Sequence, residues 1–150
     1  MGFFGFKVLY AICNKAFPRE PLLVISRPGD GWQSIVDCEG NELLKEWYPS
    51  IRIGIYAKIK NKDYYFGVVE NKDKKVTVIR ICDGEVKVLD EWFDGLTFYK
   101  KRLVARIEKI NSVGETLFNY IDFWGIYLLD EWIHDYETVA VEMRHGFNEL

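Results

Sequence analysis

The sequence predicts a mostly β protein, built from tandem antiparallel β-hairpin or three-stranded units that stack into one array. An acidic residue followed by tryptophan recurs three times in the 150 residues, at Trp47, Trp92 and Trp132. Each of these acidic-tryptophan pairs follows a β-rich run, a turn with glycine and a second apolar run, which is the pattern of a β-hairpin. Because the pairs recur at intervals of 45 and 40 residues, they indicate a repeat protein.

The similarity between copies extends beyond the tryptophans. Residues 34–47 (SIVDCEGNELLKEW) align without a gap on residues 119–132 (NYIDFWGIYLLDEW), and the middle copy needs one extra residue. Glycine supplies the positive φ of a tight turn, and aspartate can accept hydrogen bonds from the turn amides. The predicted structural repeat anchors are Trp47, Trp92, Trp132, Gly40, Gly84, Gly125, Asp37 and Asp122.

These copies predict a division of the chain. An N-terminal segment, 1–31, precedes a β-repeat domain, 32–150, whose copies run over about 32–75, 76–116 and 117–150. Residues 6–17 fit either a short helix or a strand. A strand containing an alanine is predicted after each tryptophan, at 54–60, 103–110 and 138–144. We expect the three tryptophans to be partly or wholly buried at unit junctions, with core contacts from Leu43, Leu44, Val88, Leu89, Leu128 and Leu129.

Composition indicates a folded chain in a reducing compartment. Hydrophobic residues make up 49% of the sequence, with 10 Phe, 9 Tyr and 5 Trp, which is enough for a core. Cys13, Cys38 and Cys82 have no C-x-x-C spacing, which disfavours a disulfide framework and a zinc site. No targeting segment is recognised, and no apolar run approaches the ~18 residues of a membrane span. We therefore expect a cytoplasmic protein that has no membrane partner.

The charges are distributed unevenly along the chain. Residues 51–109 carry 14 basic and 9 acidic side chains, whereas residues 110–150 carry 1 and 8. On a single strand, alternate lysines at 58, 60 and 62 would share one face, and aromatic residues lie among the basic ones. Basic strands with aromatics can bind a nucleotide or single-stranded nucleic acid. The candidate anion-binding residues are Lys58, Lys60, Lys62, Lys100, Lys101, Arg102 and Arg106.

With its copies aligned, the chain resembles the WG-repeat family of bacterial and phage-encoded proteins. The resemblance covers residues 32–150, about two and a half repeats, and is carried by the D-x-x-G cores at 37–40 and 122–125. In the family pattern a signature Trp-Gly pair precedes the first strand, and this chain does not reproduce it at that place. Its Trp124–Gly125 pair falls in the hairpin turn instead. The resemblance implies a β-hairpin array used for recognition, and it brings no shared catalytic residues.

The residues that might carry chemistry favour structural roles. Neighbours in the Asp90–Glu91 and Asp130–Glu131 pairs would point to opposite faces of a strand, so neither pair converges on one bond. His134 and His145 have no third ligand at suitable spacing. The cysteines are expected to be small packing residues. We therefore predict no catalytic residue, no metal site and no cofactor.

Three functions from different classes follow from these observations. The first is a non-catalytic binding module that recognises a protein partner through its β-repeat surface. The second is sequestration of a nucleotide-like or other anionic ligand on the basic middle, which in a phage protein would serve counter-defence in the host cytoplasm. An enzyme is ranked last. An exposed edge strand and the opposite charges of the middle and the end also predict a homo-oligomer.

Overall fold

A computed structural model describes residues 5–12 and 21–147 of the chain. Over these residues it forms ten β-strands in three antiparallel sheets and one C-terminal α-helix, so the predicted mostly β fold is confirmed. The described residues divide into two compact units. Unit 1 draws on Met1–Asp73 and Val78–Val88, and unit 2 on Lys74–Thr77 and Leu89–Leu150.

Within each sheet, strands that follow one another in sequence are neighbours. The first sheet holds β1 (Lys7–Ile12), β2 (Leu22–Ser26) and β3 (Gln33–Val36). The second holds β4 (Ser50–Ile59), β5 (Lys62–Glu70), β6 (Val76–Cys82) and β7 (Glu85–Val88). The third holds β8 (Gly95–Tyr99), β9 (Val104–Ile110) and β10 (Thr116–Asp122).

The three sheets share one plan, because a fourth segment returns beside the third strand of each. In the second sheet this segment is the strand β7. In the first and third sheets it makes one isolated bridge, Val36 with Glu42 and Ile121 with Tyr127. Each predicted copy starts near the third strand of a sheet. The reason is that the copies resemble one another most in the turn after this strand and in the fourth segment that returns beside it. Segment 1–31 contributes β1 and β2 to the first sheet.

A second bridge closes the end of each copy, and we call it the closure. The residue directly after each anchor tryptophan pairs with the third strand of the preceding sheet. The two backbones exchange both N–H···O hydrogen bonds, with N···O distances between 2.6 and 2.9 Å. The closures join Gln33 with Tyr48, Val76 with Phe93, and Phe118 with Ile133.

The same turn follows three of the strands. A side-chain oxygen of its first residue accepts the backbone amides two and four positions later, at 2.9 to 3.1 Å. Its fourth residue is a glycine with φ between 84° and 92°, a conformation that a β-carbon disfavours. The turns begin at Asp37, Asn111 and Asp122. Turn hydrogen bonding was predicted for the two aspartates, whereas the turn at Asn111 was not recognised.

A lysine occupies the glycine position of a fourth such turn, which gives a first prediction. The side-chain oxygen of Asn71 accepts the Asp73 amide at 2.9 Å, and exposed Lys74 has a φ of 64°. We expect Lys74→Gly to stabilise the protein by about 1 kcal/mol, because the left-handed conformation costs a residue with a β-carbon about that much. The midpoint of urea unfolding measures this change.

Lys72→Gly in the same turn is the matched control. Lys72 is exposed and has no positive φ, so glycine there adds only unfolded-state entropy and lowers the midpoint slightly. If Lys74→Gly lowered the midpoint as Lys72→Gly does, the turn assignment would be contradicted.

The strand predicted at 138–144 is wrong, because this segment lies in the helix α1 (Asp135–His145). The Glu137 carboxylate accepts the His134 amide at 3.0 Å, as in half of a capping box. At the other end, Gly146 has a φ of 73°, and the Phe147 amide donates to the Glu142 carbonyl at 2.7 Å, which terminates the helix. These capping interactions outweigh the β-like alternation of residues 138–141.

The N-terminal region favours the strand over the helix. Of the 6–17 segment, residues Lys7–Ile12 form β1, and residues 13–17 lie outside the described residues, as does Cys13. In unit 2, the helix covers a core cluster of Tyr99, Val104, Tyr120, Val141 and Phe147, against which the predicted core residues Leu128 and Leu129 also pack.

Candidate functional site

A cleft in unit 1 is the candidate binding site. Its volume is about 420 Å³, within the range of small ligand sites. Strand ends and turns of the first and second sheets form its walls, and we call it the unit 1 cleft. Its lining residues are Ile12, Leu22, Asp37, Leu43, Asp63, Tyr65, Ile81, Cys82, Asp83 and Gly84.

Apolar side chains on strand ends form part of the lining. Ile12 ends β1, and Leu22 begins the antiparallel neighbour β2, so the two residues pair directly. Ile81 lies near the end of β6 in the second sheet. Ile12 and Ile81 are 6% and 3% exposed, so this part of the lining is fixed by packing.

Three aspartates add negative charge to the cleft. Asp37 begins the turn after β3, Asp63 lies near the start of β5, and Asp83 lies in the β6–β7 turn. Hydrogen bonds from the Asn41 side chain and from turn amides hold the pKa of Asp37 below its usual range, so this carboxylate is charged at neutral pH. Among the residues that the structure describes, these acids are the only charged ones that line the cleft.

Two of the three aspartates of the cleft have polar partners. Asp63 accepts the Tyr56 hydroxyl at 2.5 Å, and this hydrogen bond raises the pKa of Tyr56 to about 12. Lys62 lies 3.7 Å from the Asp83 carboxylate, with both side chains more than half exposed, so the pair is weak.

The two described cysteines differ in their surroundings. Burial raises the pKa of the Cys82 thiol, which keeps this thiol protonated at neutral pH. Cys38 is exposed in the turn that follows β3.

The predicted anion-binding residues are divided between the two units. Lys58, Lys60 and Lys62 are exposed on the β4–β5 hairpin of unit 1, and the remaining residues of the set belong to unit 2. The prediction that these three lysines alternate along one strand is wrong. Lys60 and Asn61 have φ of 50° and 67°, so the chain turns there, and Lys62 lies on β5.

In unit 2, exposed Lys100, Lys101 and Arg102 follow β8, whereas Arg106 is half-buried. Its guanidinium donates to the Glu142 carboxylate at 3.2 Å and lies over the Phe118 ring. The same carboxylate accepts the Tyr120 hydroxyl at 2.6 Å. Arg106 therefore attaches α1 to the third sheet, and its charge is already paired.

This cluster gives a prediction for alkaline pH. Burial and a hydrogen bond to Glu142 raise the pKa of Tyr99 to about 12, and the same two causes raise the pKa of Tyr120. Because both values exceed the unfolded value of about 10, the folded state retains these protons longer. Their stabilisation is complete below pH ~10 and is lost as the pH rises through the folded values.

Urea unfolding at about pH 9 and pH 11 tests this linkage. We expect a lower midpoint at the higher pH and a smaller decrease in a Glu142→Leu variant, since Glu142 contributes to both shifts. Equal decreases in the two proteins would show that other groups dominate.

The predicted tryptophan anchors are all half-buried. Trp47 contacts the Phe6 ring at 5.5 Å between centroids, and the Arg27 guanidinium lies 5.3 Å from its ring centroid. Trp132 contacts Tyr127 at 6.0 Å, and the Lys109 ammonium lies 5.4 Å from its centroid. Their location at junctions between stacked units stays a prediction.

The remaining candidates are placed as follows. His134 precedes α1 and stacks on Tyr136, and His145 is the last helical residue and stacks on Phe147. Among the described residues, no group of three or more His, Cys, Asp or Glu side chains is arranged to hold a metal ion. The helix α1 is the one helix of the described residues, and it is too short to cross a membrane.

The comparisons with known proteins identify no relative: no family model, curated protein or solved structure matches the chain. The resemblance to WG-repeat proteins therefore stays a prediction.

Sequence reasoning found parts of the cleft without recognising the cleft itself. Asp37 and Gly84 were assigned to turns, and Leu43 to the core. The contribution of Ile12 and Leu22 was missed, because the strand β2 was not predicted. A signal was present in residues 21–26, PLLVIS, a short apolar run of strand length.

Proposed function

We propose that this protein is a non-catalytic binding module whose unit 1 cleft receives a segment of a protein partner. The partner segment would present a lysine or arginine beside apolar residues. The observation that carries this proposal is the lining of the cleft, in which buried apolar side chains lie beside three aspartates.

The chemistry of the lining favours this class of partner. A long basic side chain combines an apolar stem with a cationic head, so it matches both parts of the cleft. Carboxylates attract such a group during encounter and disfavour an anion at the same place. For this reason we rank sequestration of a nucleotide-like ligand second. The observation in its favour is the exposure of Lys58, Lys60 and Lys62 on one hairpin.

Selection from a library of random peptides on the immobilised protein tests the proposal. We expect enrichment of peptides with Lys or Arg next to apolar residues, and weaker binding at higher salt. A selected peptide should bind the Asp63→Asn, Asp83→Asn double variant about tenfold more weakly in isothermal titration calorimetry, a loss of ~1.4 kcal/mol.

A Glu39→Gln, Asp73→Asn double variant is the control. It removes the same number of charges from exposed positions of unit 1 that do not line the cleft, and its affinity should match that of the original protein. Enrichment of acidic peptides, or equal loss of binding in both variants, would contradict the proposal. Titration with ATP gives the parallel test of the anion alternative.

A further inference from the structure

Each copy buries one polar side chain at the same place beside its closure. Ser34, Thr77 and Asn119 each come directly after the third-strand residue that takes part in the closure. These three residues are 0%, 0% and 1% exposed. Because burial of a polar group without a hydrogen bond is destabilising, each of these side chains needs a partner.

In the third copy the protein itself supplies the partners. The side-chain nitrogen of Asn119 donates to the Leu129 carbonyl at 3.2 Å and to the Glu131 carbonyl at 3.5 Å. Its side-chain oxygen accepts the Tyr120 backbone amide at 2.7 Å. Asn119 therefore connects β10 to the stretch of chain that leads into the closure.

In the first and second copies a hydroxyl group occupies the same position. The Oγ of Ser34 and the Oγ1 of Thr77 are buried, and neither forms a hydrogen bond with any of the described residues. A hydroxyl group can donate one hydrogen bond and accept others. Two copies therefore share an unsatisfied hydroxyl where the third copy has a satisfied amide.

The backbone around this position is the same in the first and third copies. The two copies align without a gap, and their closures and the hydrogen bonds to the returning segment match. The carbonyls that accept from the amide in the third copy therefore have counterparts beside Ser34, those of Leu44 and Glu46. In the second copy the counterparts are the carbonyls of Leu89 and Glu91, in the same Leu-Asp-Glu-Trp stretch as in the third.

The difference in size between the side chains matches one water molecule. An asparagine side chain has two more heavy atoms than serine and one more than threonine, so a water beside the hydroxyl restores about the same volume. A buried water typically forms about three hydrogen bonds with polar groups that lack a protein partner. One hydroxyl and two carbonyls provide this number in each copy.

We propose that the first and second copies each bind one buried water molecule beside the closure, at the place of the Asn119 amide in the third copy. The Ser34 or Thr77 hydroxyl and the two facing carbonyls hold the water. The same closure can then form around three different side chains. None of these groups is among the described residues that line the unit 1 cleft, so the water sites are independent of the proposed function.

A crystal structure at high resolution tests the two sites directly. We expect an ordered water within hydrogen-bonding distance of the Ser34 Oγ and of the Leu44 and Glu46 carbonyls, and an equivalent water at Thr77. At Asn119 the amide should fill this place. A dry site at Ser34 or at Thr77 would overturn the inference for that copy.

Two substitutions of equal size at Ser34 give a second test. Asparagine and leucine have the same number of heavy atoms, but only asparagine can replace the hydrogen bonds of the water. We expect Ser34→Asn to leave the midpoint of urea unfolding unchanged or higher, since the amide reproduces these bonds and no water has to be ordered. Ser34→Leu should lower the midpoint clearly, because the hydrogen-bond partner of the carbonyls is lost. If the site were dry and closely packed, both substitutions would lower the midpoint equally.

The reverse exchange in the third copy completes the test. Asn119→Ser should admit a water molecule, so it should lower the midpoint of urea unfolding less than Asn119→Leu, which keeps the volume and removes the hydrogen bonds. Circular dichroism verifies that both variants keep the fold. An Asn119→Ser variant as unstable as Asn119→Leu would show that water does not replace the amide, and would overturn the inference.

Discussion

Gly67→Ala is expected to destabilise the protein by about 3 kcal/mol, because the new methyl group would meet backbone that has little room to move. A β-carbon at Gly67 would clash with the Arg52 carbonyl oxygen and would lie 2.7 Å from the Ile53 Cα. The cause is a bulge in β4: Ile53 pairs with Gly67 and Ile55 with Phe66, so that Gly54 is the extra residue. At such a bulge two backbones approach closely, and only glycine fits opposite.

The matched control for Gly67→Ala is Gly54→Ala, at the extra residue of the same bulge. A β-carbon at Gly54 would have no neighbouring heavy atom within 4 Å, and its φ is not positive. We expect Gly54→Ala to change the free energy of unfolding, measured by urea unfolding, by about 0.5 kcal/mol or less. Equal effects of the two substitutions would contradict the described pairing of β4 and β5.

Glu142→Leu is the second substitution with a large expected effect, a destabilisation of about 2–3 kcal/mol. Leucine leaves the Arg106 guanidinium and the Tyr120 hydroxyl without their acceptor. The Arg106 and Glu142 side chains are 27% and 20% exposed, so water compensates for part of the loss. We therefore expect less than the full cost of breaking a buried ion pair.

Urea unfolding of two further variants isolates the contribution of this ion pair. Asp130→Leu changes an exposed acid of unit 2 and should have an effect of about 0.5 kcal/mol or less. An Arg106→Met, Glu142→Leu double variant removes both charges and should be more stable than Glu142→Leu alone. If the double variant were less stable than Glu142→Leu, Arg106 would stabilise the helix without Glu142.

The strands and turns were predictable wherever local chemistry determines them. Residues 76–82, VTVIRIC, are dominated by β-branched residues and form β6. Asp83 and Gly84 have φ of 52° and 76°, as a two-residue hairpin turn requires, and this hairpin was predicted from the Asp-Gly pair. The short strand β8, with a glycine and one β-branched residue, has a weaker local signal and was missed.

The helix could not be read from its periodicity. Residues 138–141, TVAV, alternate in size and include β-branched side chains, so a strand was predicted. The decisive features are Glu137, which accepts the His134 amide, and Gly146, whose positive φ ends the helix. Such capping residues are visible in a sequence, but histidine is an unusual residue at the start of a helix.

The cleft depends on contacts that local patterns do not encode. Asp37, Asp63 and Asp83 come from three different turns or strand starts, and each was predictable only as a turn or polar residue. Their convergence follows from the arrangement of the first and second sheets in unit 1. The same holds for Arg106, which was predicted as an anion-binding residue and is paired with Glu142 from α1, 36 residues later.

The closure recurs in all three copies, and amide hydrogen exchange measured by NMR tests it most directly. Each closure buries two reciprocal backbone hydrogen bonds, which should slow exchange at both amides. We predict strong protection, similar in all three copies, at Gln33, Tyr48, Val76, Phe93, Phe118 and Ile133. Fast exchange at Tyr48, Phe93 and Ile133, like that of the exposed turn residue Ser112, would show that these closures do not form.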